Sequence, residues 1–529
     1  MRARLILSFT VLLCLAASAA GQEAPRDFRR ALGDNPLLST GNAALLATLP
    51  EGGFSEAAAS FTKENGAIYP LEGSPDSWQA GAAAQSFYRI SDKLAFCGSL
   101  SYSYFKGARM GGQVLIDPRG NPVNFLEEDL STVGSKKREK YSLMGGFSYN
   151  FNDRVAIGIK VDYTAEDQVK MKDPRFQDVR MKIGVVPGFM YRFQNGFTLG
   201  AGFIWQHGVD QLTAKTFGTG GRQYNILVDQ GGFIGTREIF DGDAGYVSVS
   251  STRHLASNGY GLGIQLGGGS SVRFAGEITG LWRTGYYGNK SSTTVVFCTF
   301  RGPEAGFKGT LDIPSGENNL HRIGLSASWK GLSKFTNSYS YKGEVGQQKT
   351  VEYQGKNKTL SGNDIEADLS YIVKIGTDGF LPSWEAGVRA GAFFRSQHTD
   401  VYPDYRDRRF VSLTASVFAA KGVALRSSFL AVKISGLYAG GAGASVVDGS
   451  YGGGTSKTIS FDDWLYRQQE YDTASRAGAS LEAEWTWLGG KKVSPFIRIS
   501  DSFLYLLKKP AYLEGRYRNS AFISVGCNF

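Results

Sequence analysis

The sequence predicts an all-β chain, an antiparallel transmembrane barrel of about 18 strands within a range of 14 to 18. Three observations carry this reading. Apolar residues alternate with small, polar or charged ones through most of the chain after residue 77. The alternating runs are about 10 to 15 residues long, where an ordinary strand has about 5 or 6 and one tilted across a bilayer needs about 9 to 11. Their connections alternate too, between short turns and long segments rich in Gly, Asp, Lys and Pro, as in barrels with tight turns at one end and long loops at the other.

Composition narrows the alternatives. The 529 residues include 69 Gly, 34 Phe, 26 Tyr and 8 Trp, with only 20% charged. No apolar run is long enough for a helical membrane span, which needs about 20 residues. So many aromatics also argue against disorder. Four Cys without a CxxC spacing and four His are too few for a disulfide scaffold or a His-rich metal protein.

Residues 1–21 read as a secretory signal peptide: Arg2 and Arg4, then an uncharged apolar stretch to Ala20, with small residues at Ala17, Ala19 and Gly21. Cys14 leaves with it, so the mature chain keeps Cys97, Cys298 and Cys527, and at most one disulfide can form. Residues 22–53 form an N-terminal periplasmic or hatch segment, and 54–529 the barrel.

The expected strands are 54–62, 77–89, 93–106, 140–151, 154–164, 179–193, 196–208, 257–267, 271–284, 318–330, 334–346, 363–375, 382–396, 408–420, 424–439, 473–487, 492–507 and 517–529. Val155, Ile157, Ile159, Val161 and Tyr163 alternate with Ala156, Gly158, Lys160 and Asp162, and Leu481, Ala483, Trp485 and Trp487 with Glu482, Glu484 and Thr486. Segments 107–139, 209–256, 285–317 and 440–470 read as long loops, although the apolar Thr293 to Phe300 is strand-like. With the short turns periplasmic, an even strand number returns both termini to the periplasm. Aromatics at strand ends, Tyr102, Tyr104, Phe105, Trp282, Tyr286, Tyr287, Trp485 and Trp487, suit interfacial girdles.

Enzyme signatures are missing. Gly259, Gly261 and Gly263 lack the third glycine of a nucleotide loop, since position 266 is Leu. There is no GxxxxGK[ST], HExxH or GxSxG. His207, His254, His321 and His398 stand alone. Neither catalytic residues, metal nor cofactor are expected. The net charge of +10, much of it in Lys136, Lys137, Arg138, Arg406, Arg408 and Arg409, suits a solvated rim facing anionic lipopolysaccharide and not nucleic acid.

The polar parity of the strands carries the candidate site. Lys160, Asp162, Arg273, Glu277, Arg283, Glu366, Asp368, Lys374, Glu385, Arg389, Glu482, Glu484 and Arg498 alternate with apolar residues and so face the lumen. Lys or Arg on the lipid face costs roughly 2 to 4 kcal/mol at midplane. Paired with each other these residues fill the lumen, and unpaired they form a selectivity surface.

The last residues, Ala521, Phe522, Ile523, Ser524, Val525, Gly526, Cys527, Asn528 and Phe529, resemble the C-terminal signature of bacterial outer-membrane barrels, which implies that Phe529 is a signal to the barrel-insertion machinery. Signal peptide, strand lengths and Phe529 together resemble a Bacteroidota outer-membrane β-barrel family of unknown function. Asn35-Pro36-Leu37-Leu38 through Asn42-Ala43-Ala44-Leu45 is similar to the N-terminal segment of FadL-type transport proteins. That second resemblance implies 14 strands, a hatch within them and hydrophobic substrates. A TonB-dependent receptor is set aside, because about 30 residues before strand 1 cannot make the plug of a 22-stranded barrel. The function expected is a passive channel or transporter for small or hydrophobic solutes in the outer membrane of a Gram-negative bacterium. The alternatives are a non-conducting barrel that assists a surface lipoprotein or uptake complex, and, behind it, a barrel hydrolase.

Overall fold

The computed structural model describes residues 27–128, 130–217, 223–240, 252–344, 348–377, 380–489 and 493–529. The signal peptide at 1–21 lies outside them. In chain order the strands are β1 (Gly52–Gly66), β2 (Asp76–Arg89), β3 (Leu94–Met110), β4 (Asn124–Glu127), β5 (Gly134–Asn150), β6 (Val155–Lys170), β7 (Arg175–Arg192), β8 (Thr198–Lys215), β9 (Tyr224–Asp229), β10 (Ile234–Phe240), β11 (Arg253–Gly268) and β12 (Arg273–Gly288). They continue as β13 (Val296–Ser315), β14 (Asn319–Lys342), β15 (Thr350–Ile375), β16 (Trp384–Val401), β17 (Asp404–Ala424), β18 (Ser428–Ser450), β19 (Ile459–Ser460), β20 (Arg476–Trp487), β21 (Ser494–Leu506) and β22 (Tyr517–Asn528).

Eighteen of these strands form one antiparallel sheet, and pairing of β1 with β22 from Glu56↔Asn528 to Gly66↔Arg518 closes it. Phe529 extends the seam: its carbonyl accepts from the Ser55 N–H at 2.7 Å, and its own N–H donates to the Ser55 carbonyl at 3.0 Å. Closure leaves no strand edge unpaired, which is the condition for placing a sheet in lipid. Among the described residues no helix is long and apolar enough to cross a membrane.

The count of 18 agrees with expectation through two errors that cancel. β13 lies inside the expected loop 285–317, where Gly302, Pro303, Gly306, Gly309 and Pro314 hide its alternation. Conversely, β14 runs unbroken through Lys330-Gly331-Leu332-Ser333-Lys334, the turn expected between 318–330 and 334–346.

Period two divides the wall as alternation requires. On β11, Leu262 (64% exposed) and Ile264 (54%) face outward, while Gln265 is 2% exposed on the inside. Inside, the short-turn end holds an N-terminal segment made of α1 (Phe28–Asp34) and the 3-10 turns Pro36–Ser39 and Ala43–Thr48. The long-loop end is capped by a four-stranded sheet, in order β19-β10-β9-β4, and by α2 (Asp462–Thr473). The cap buries Phe125, Ile226, Val228 and Phe240 against Phe176, Leu212, Leu255, Tyr287 and Phe300 of the wall. Tyr287 therefore packs inward on Phe125 and is no girdle residue.

The basic clusters expected in loops are also corrected. Lys136, Lys137 and Arg138 lie on β5, and Arg406, Arg408 and Arg409 on β17. Lys136, Arg406 and Arg408 are buried, because the cap folds down onto them and offers acceptors: Gln113 O for Lys136, and Gly232 O and Asp462 for Arg406, which also pairs with Asp448 of the neighbouring strand β18.

Candidate functional site

The wall strands β6, β7 and β12 each read as three zones along their inward parity. On β6, Gly158 and Lys160 meet the N-terminal segment, Asp162 and Thr164 line a chamber, and Gln168 and Lys170 hold the cap. On β7 the same order is Gly188, then Lys182 and Arg180, then Asp178, whose carboxylate accepts from the Ile116 N–H at 2.8 Å. On β12 it is Glu277, then Leu281 and Arg283, then Tyr287. The chamber has a volume of about 550 Å³.

Small side chains and one amide seat the N-terminal segment. Asn42 Nδ2 donates to Phe189 O (3.0 Å), Ala201 O (3.2 Å) and Gln265 Oε1 (3.0 Å), while Asn42 Oδ1 caps the 3-10 turn at Ala44 N (2.9 Å). Glu277 Oε1 accepts from Gly41 N at 3.2 Å and from Gln265 Nε2 at 2.8 Å. Lys160 Nζ reaches Thr40 O at 3.5 Å. At the segment's start, Asp27 is buried beside the Glu484–Arg498 pair, and burial, the largest effect, pushes its carboxyl above the ordinary value.

In the chamber, a tongue of the loop before β4, residues 117–122, reaches the wall. Arg180 Nη2 donates to Asp117 Oδ2 at 3.1 Å, Arg283 donates twice to Gly120 O at 3.2 and 3.3 Å, and Arg395 Nη2 donates to Arg119 O at 3.3 Å. Arg119 pairs with Glu72 (3.3 Å) and Asp472 (3.5 Å). Burial works to raise the Asp117 carboxyl, but Arg180, Lys182 and Lys330 outweigh it and hold the group below its ordinary value. Among the described residues, the side chains of Lys182, Lys330 and Asp162 make no hydrogen bond or ion pair, although all three line the chamber.

All thirteen residues singled out from sequence lie on the inward parity. Glu484 and Glu482 meet Arg498 at 2.7 and 3.8 Å. Arg273 meets Asp312 (3.7 Å) and Arg283 meets Glu304 (3.6 Å), both partners that sequence reasoning missed with β13. Lys374 and Glu385 are register partners, and Glu366 and Asp368 share a parity with the chamber residue Asp364. Arg389 lies over the Phe418 ring at 5.4 Å. Arg180, Lys182, Lys330, Arg395 and Asn42 were also missed. Lys182 was within reach of the alternation in 179–193, whereas Asp117 becomes visible only with the loop folded.

The histidines sit on strands. His207 Nδ1 lies 2.9 Å from Asn258 Oδ1, His254 Nδ1 2.6 Å from Asn289 Oδ1, His321 Nδ1 2.8 Å from the Tyr371 hydroxyl, and His398 Nδ1 2.9 Å from Asp407 Oδ1. Among the described residues no serine or threonine hydroxyl bonds to any of them, and no cluster of His, Cys, Asp and Glu is placed to hold a metal. Cys97, Cys298 and Cys527 are not joined in a disulfide.

An 18-stranded closed barrel with an apolar outer face and a charged interior is a protein of the outer-membrane barrel class. Within that class the chain belongs to a family of unknown function, DUF6850, whose model matches residues 43–529. No curated protein matches the chain. Solved structures similar to it include BauA, the ferric preacinetobactin receptor from Acinetobacter baumannii, at 8% identity and a TM-score of 0.40, covering 91% of this chain and 80% of that one. Another is the outer membrane transporter YddB from Escherichia coli, at 10% identity and a TM-score of 0.38, covering 90% and 81%. A third is the FrpB iron transporter from Neisseria meningitidis, at 8% and 0.38, covering 93% and 84%. The 14 strands implied by the FadL-type resemblance are corrected to 18.

Proposed function

We propose that the chain is a passive transporter for small polar solutes in the outer membrane, closed at rest by a hatch, residues 27–50, and by the cap. The observation that carries this is the chamber of about 550 Å³ with Lys182, Lys330 and Asp162 unpaired on its wall. All three side chains are exposed to the chamber and available to a solute, which a lumen serving only as packing does not require. Lys160, Glu277, Glu484 and Arg498 then position the hatch, while Asp162, Arg283, Glu366, Asp368 and Arg389 form the selectivity surface. Arg273, Lys374 and Glu385 guard the short-turn mouth. Phe529 is read as the insertion signal, and lipopolysaccharide as the neighbour of the outer face.

Solute release from liposomes tests this reading. Native protein releases small sugars slowly, and Asn42→Ala, which loosens the hatch, speeds release at least fivefold. No release from either form contradicts it. One observation favours a second reading, docking of a surface lipoprotein or uptake complex: β14 and β15 have 24 and 26 residues, far beyond the bilayer's requirement, and raise Tyr339, Tyr341 and Tyr353 exposed above it.

A further inference from the structure

The tongue 117–122 places a carboxylate and two carbonyls of the chain itself on wall cations. Asp117 Oδ2 takes Arg180, Gly120 O takes Arg283, and Arg119 O takes Arg395. The wall strands also supply acidic partners for these three arginines: Asp210 for Arg180 (3.3 Å), Glu304 for Arg283 (3.6 Å) and Asp364 for Arg395, in a two-pronged pair at 2.6 and 2.7 Å. Lys182 and Lys330 make no ion pair with the wall, although Glu304 and Asp364 are the cross-strand register neighbours of Lys330 and Asp210 acts on Lys182. Besides burial, the charges acting on Lys182 are Arg180, Asp117, Asp210 and Arg283. With the tongue in place, Asp117 is the acidic group that Arg180, Lys182 and Lys330 share. With the tongue withdrawn, two ammonium groups and the Arg180 fork lose that carboxylate and face one chamber, with Asp162, Asp210, Glu304 and Asp364 on its wall.

Deeper under the cap a second cation is short of acceptors. Arg408 is 3% exposed, stacks on Phe410 and Phe233, and lies 3.7 Å from Asp472, yet its Nε and Nη2 have no hydrogen-bond acceptor. It also borders the chamber. A buried guanidinium left partly unsatisfied is costly unless something completes it.

We infer that the chamber is a binding site for the oxyanion of a small solute, a carboxylate or phosphate held by Arg180, Lys182 and Lys330, and that Asp117 occupies this site as an internal competitor until the solute displaces the tongue. The inference rests on the transport reading for how the solute arrives, but the site stands by itself. Guanidinium and ammonium donors lining one chamber are suited to such groups, with the guanidinium giving two-pronged recognition. The tongue's sequence, Asp117-Pro118-Arg119-Gly120-Asn121-Pro122, fits an element that moves as a unit. Two prolines stiffen it, and apart from the Arg119 pairs its contacts in the chamber are made by wall arginines.

Equilibrium binding of radiolabelled orthophosphate and acetate to the folded, detergent-solubilised full chain tests this. Asp117→Asn keeps the shape of the tongue tip and removes its charge, and is expected to bind at least one of the two anions about tenfold more tightly than native protein. The double variant Lys182→Gln, Lys330→Gln, whose side chains make no hydrogen bond or close ion pair in the resting structure, is expected to lose binding about tenfold in the native background. Preference for orthophosphate or for acetate identifies the group the site takes. Equal binding by native protein, Asp117→Asn and the lysine variant overturns the inference, as does absence of binding in all three. Should Asp117→Asn fail to fold, the lysine variant decides alone. Anion binding without solute release from liposomes removes the transport reading and leaves the site. Solute release without anion binding does the reverse.

Discussion

The side-chain amide of Asn42 donates to Gln265 Oε1 across 3.0 Å, joining the N-terminal segment to a wall residue 223 positions further along the chain. Two more acceptors, Phe189 O and Ala201 O, share the same Nδ2, so one side chain ties the segment to β7, β8 and β11. At about 1 kcal/mol per net hydrogen bond, with a penalty for buried groups left unpaired, Asn42→Leu is expected to weaken docking by about 2 to 4 kcal/mol. Hydrogen exchange at the amides of Ala44 and Leu45 reads this directly. Unchanged protection there would show that Asn42 is not the anchor.

The wall beneath the segment is smooth because it is glycine. A Cβ at Gly188 would lie 1.9 Å from Asn42 Oδ1, and one at Gly158 would lie 2.5 Å from Ala44 N. Gly188→Ala is expected to displace the segment while leaving the β6–β7 pairing intact, since the three atoms nearest its Cβ all belong to Asn42. Protease sensitivity near residues 35–48 should rise in a barrel that still migrates as folded. A variant as resistant as native protein contradicts the cradle.

Asp229 gives the cap a pH dependence. Its Oδ1 accepts from the N–H groups of Gly231 (2.8 Å) and Phe233 (3.0 Å), yet burial, the largest influence, pushes the carboxyl up to about 6. Because the folded value is raised, this group's contribution to stability is full below the ordinary value near 4 and lost as pH rises through about 6. Asn keeps the acceptor without the charge. Asp229→Asn should therefore match native protein near pH 4 and exceed it at pH 8 by about 2 to 3 kcal/mol, the equivalent of two pKa units. Cap protection in hydrogen exchange across this range is the measurement, and parallel profiles contradict the assignment.

Lipid and lumen faces differ by one position. Ile278 is 61% exposed on the outside of β12, and Thr279 faces in. Ile278→Lys is expected to cost about 2 to 4 kcal/mol of barrel stability in a bilayer, and Thr279→Lys about 0.5 kcal/mol or less. Unfolding titrations in liposomes compare them. Equal costs would invalidate the parity.

Much of the barrel was legible because its constraint is local. Alternation in 363–375 or 473–487 reports lipid on one face and water on the other, residue by residue. It fails where Pro303, Gly306 and Gly309 break the pattern in β13, and where Gly331 mimics a turn. The inward parity named the right face for residues such as Lys160 and Glu277, but their partners, Thr40 O and Gly41 N, belong to a segment whose docking depends on space left by glycines far away in sequence. The chamber was less legible still. Asp117 and Arg180 stand 63 positions apart, and no periodicity links a loop tongue to a strand. Arg406 and Arg408 looked like a solvated rim because charge in sequence does not reveal that a cap descends upon it.

Single-channel conductance in planar bilayers tests the central claim, an occluded but permeable lumen, most directly. The native chain should show a low, rarely open conductance, and a chain lacking residues 27–50 a conductance at least several times larger and mostly open. A barrel that folds without the segment and still passes no current would contradict the account.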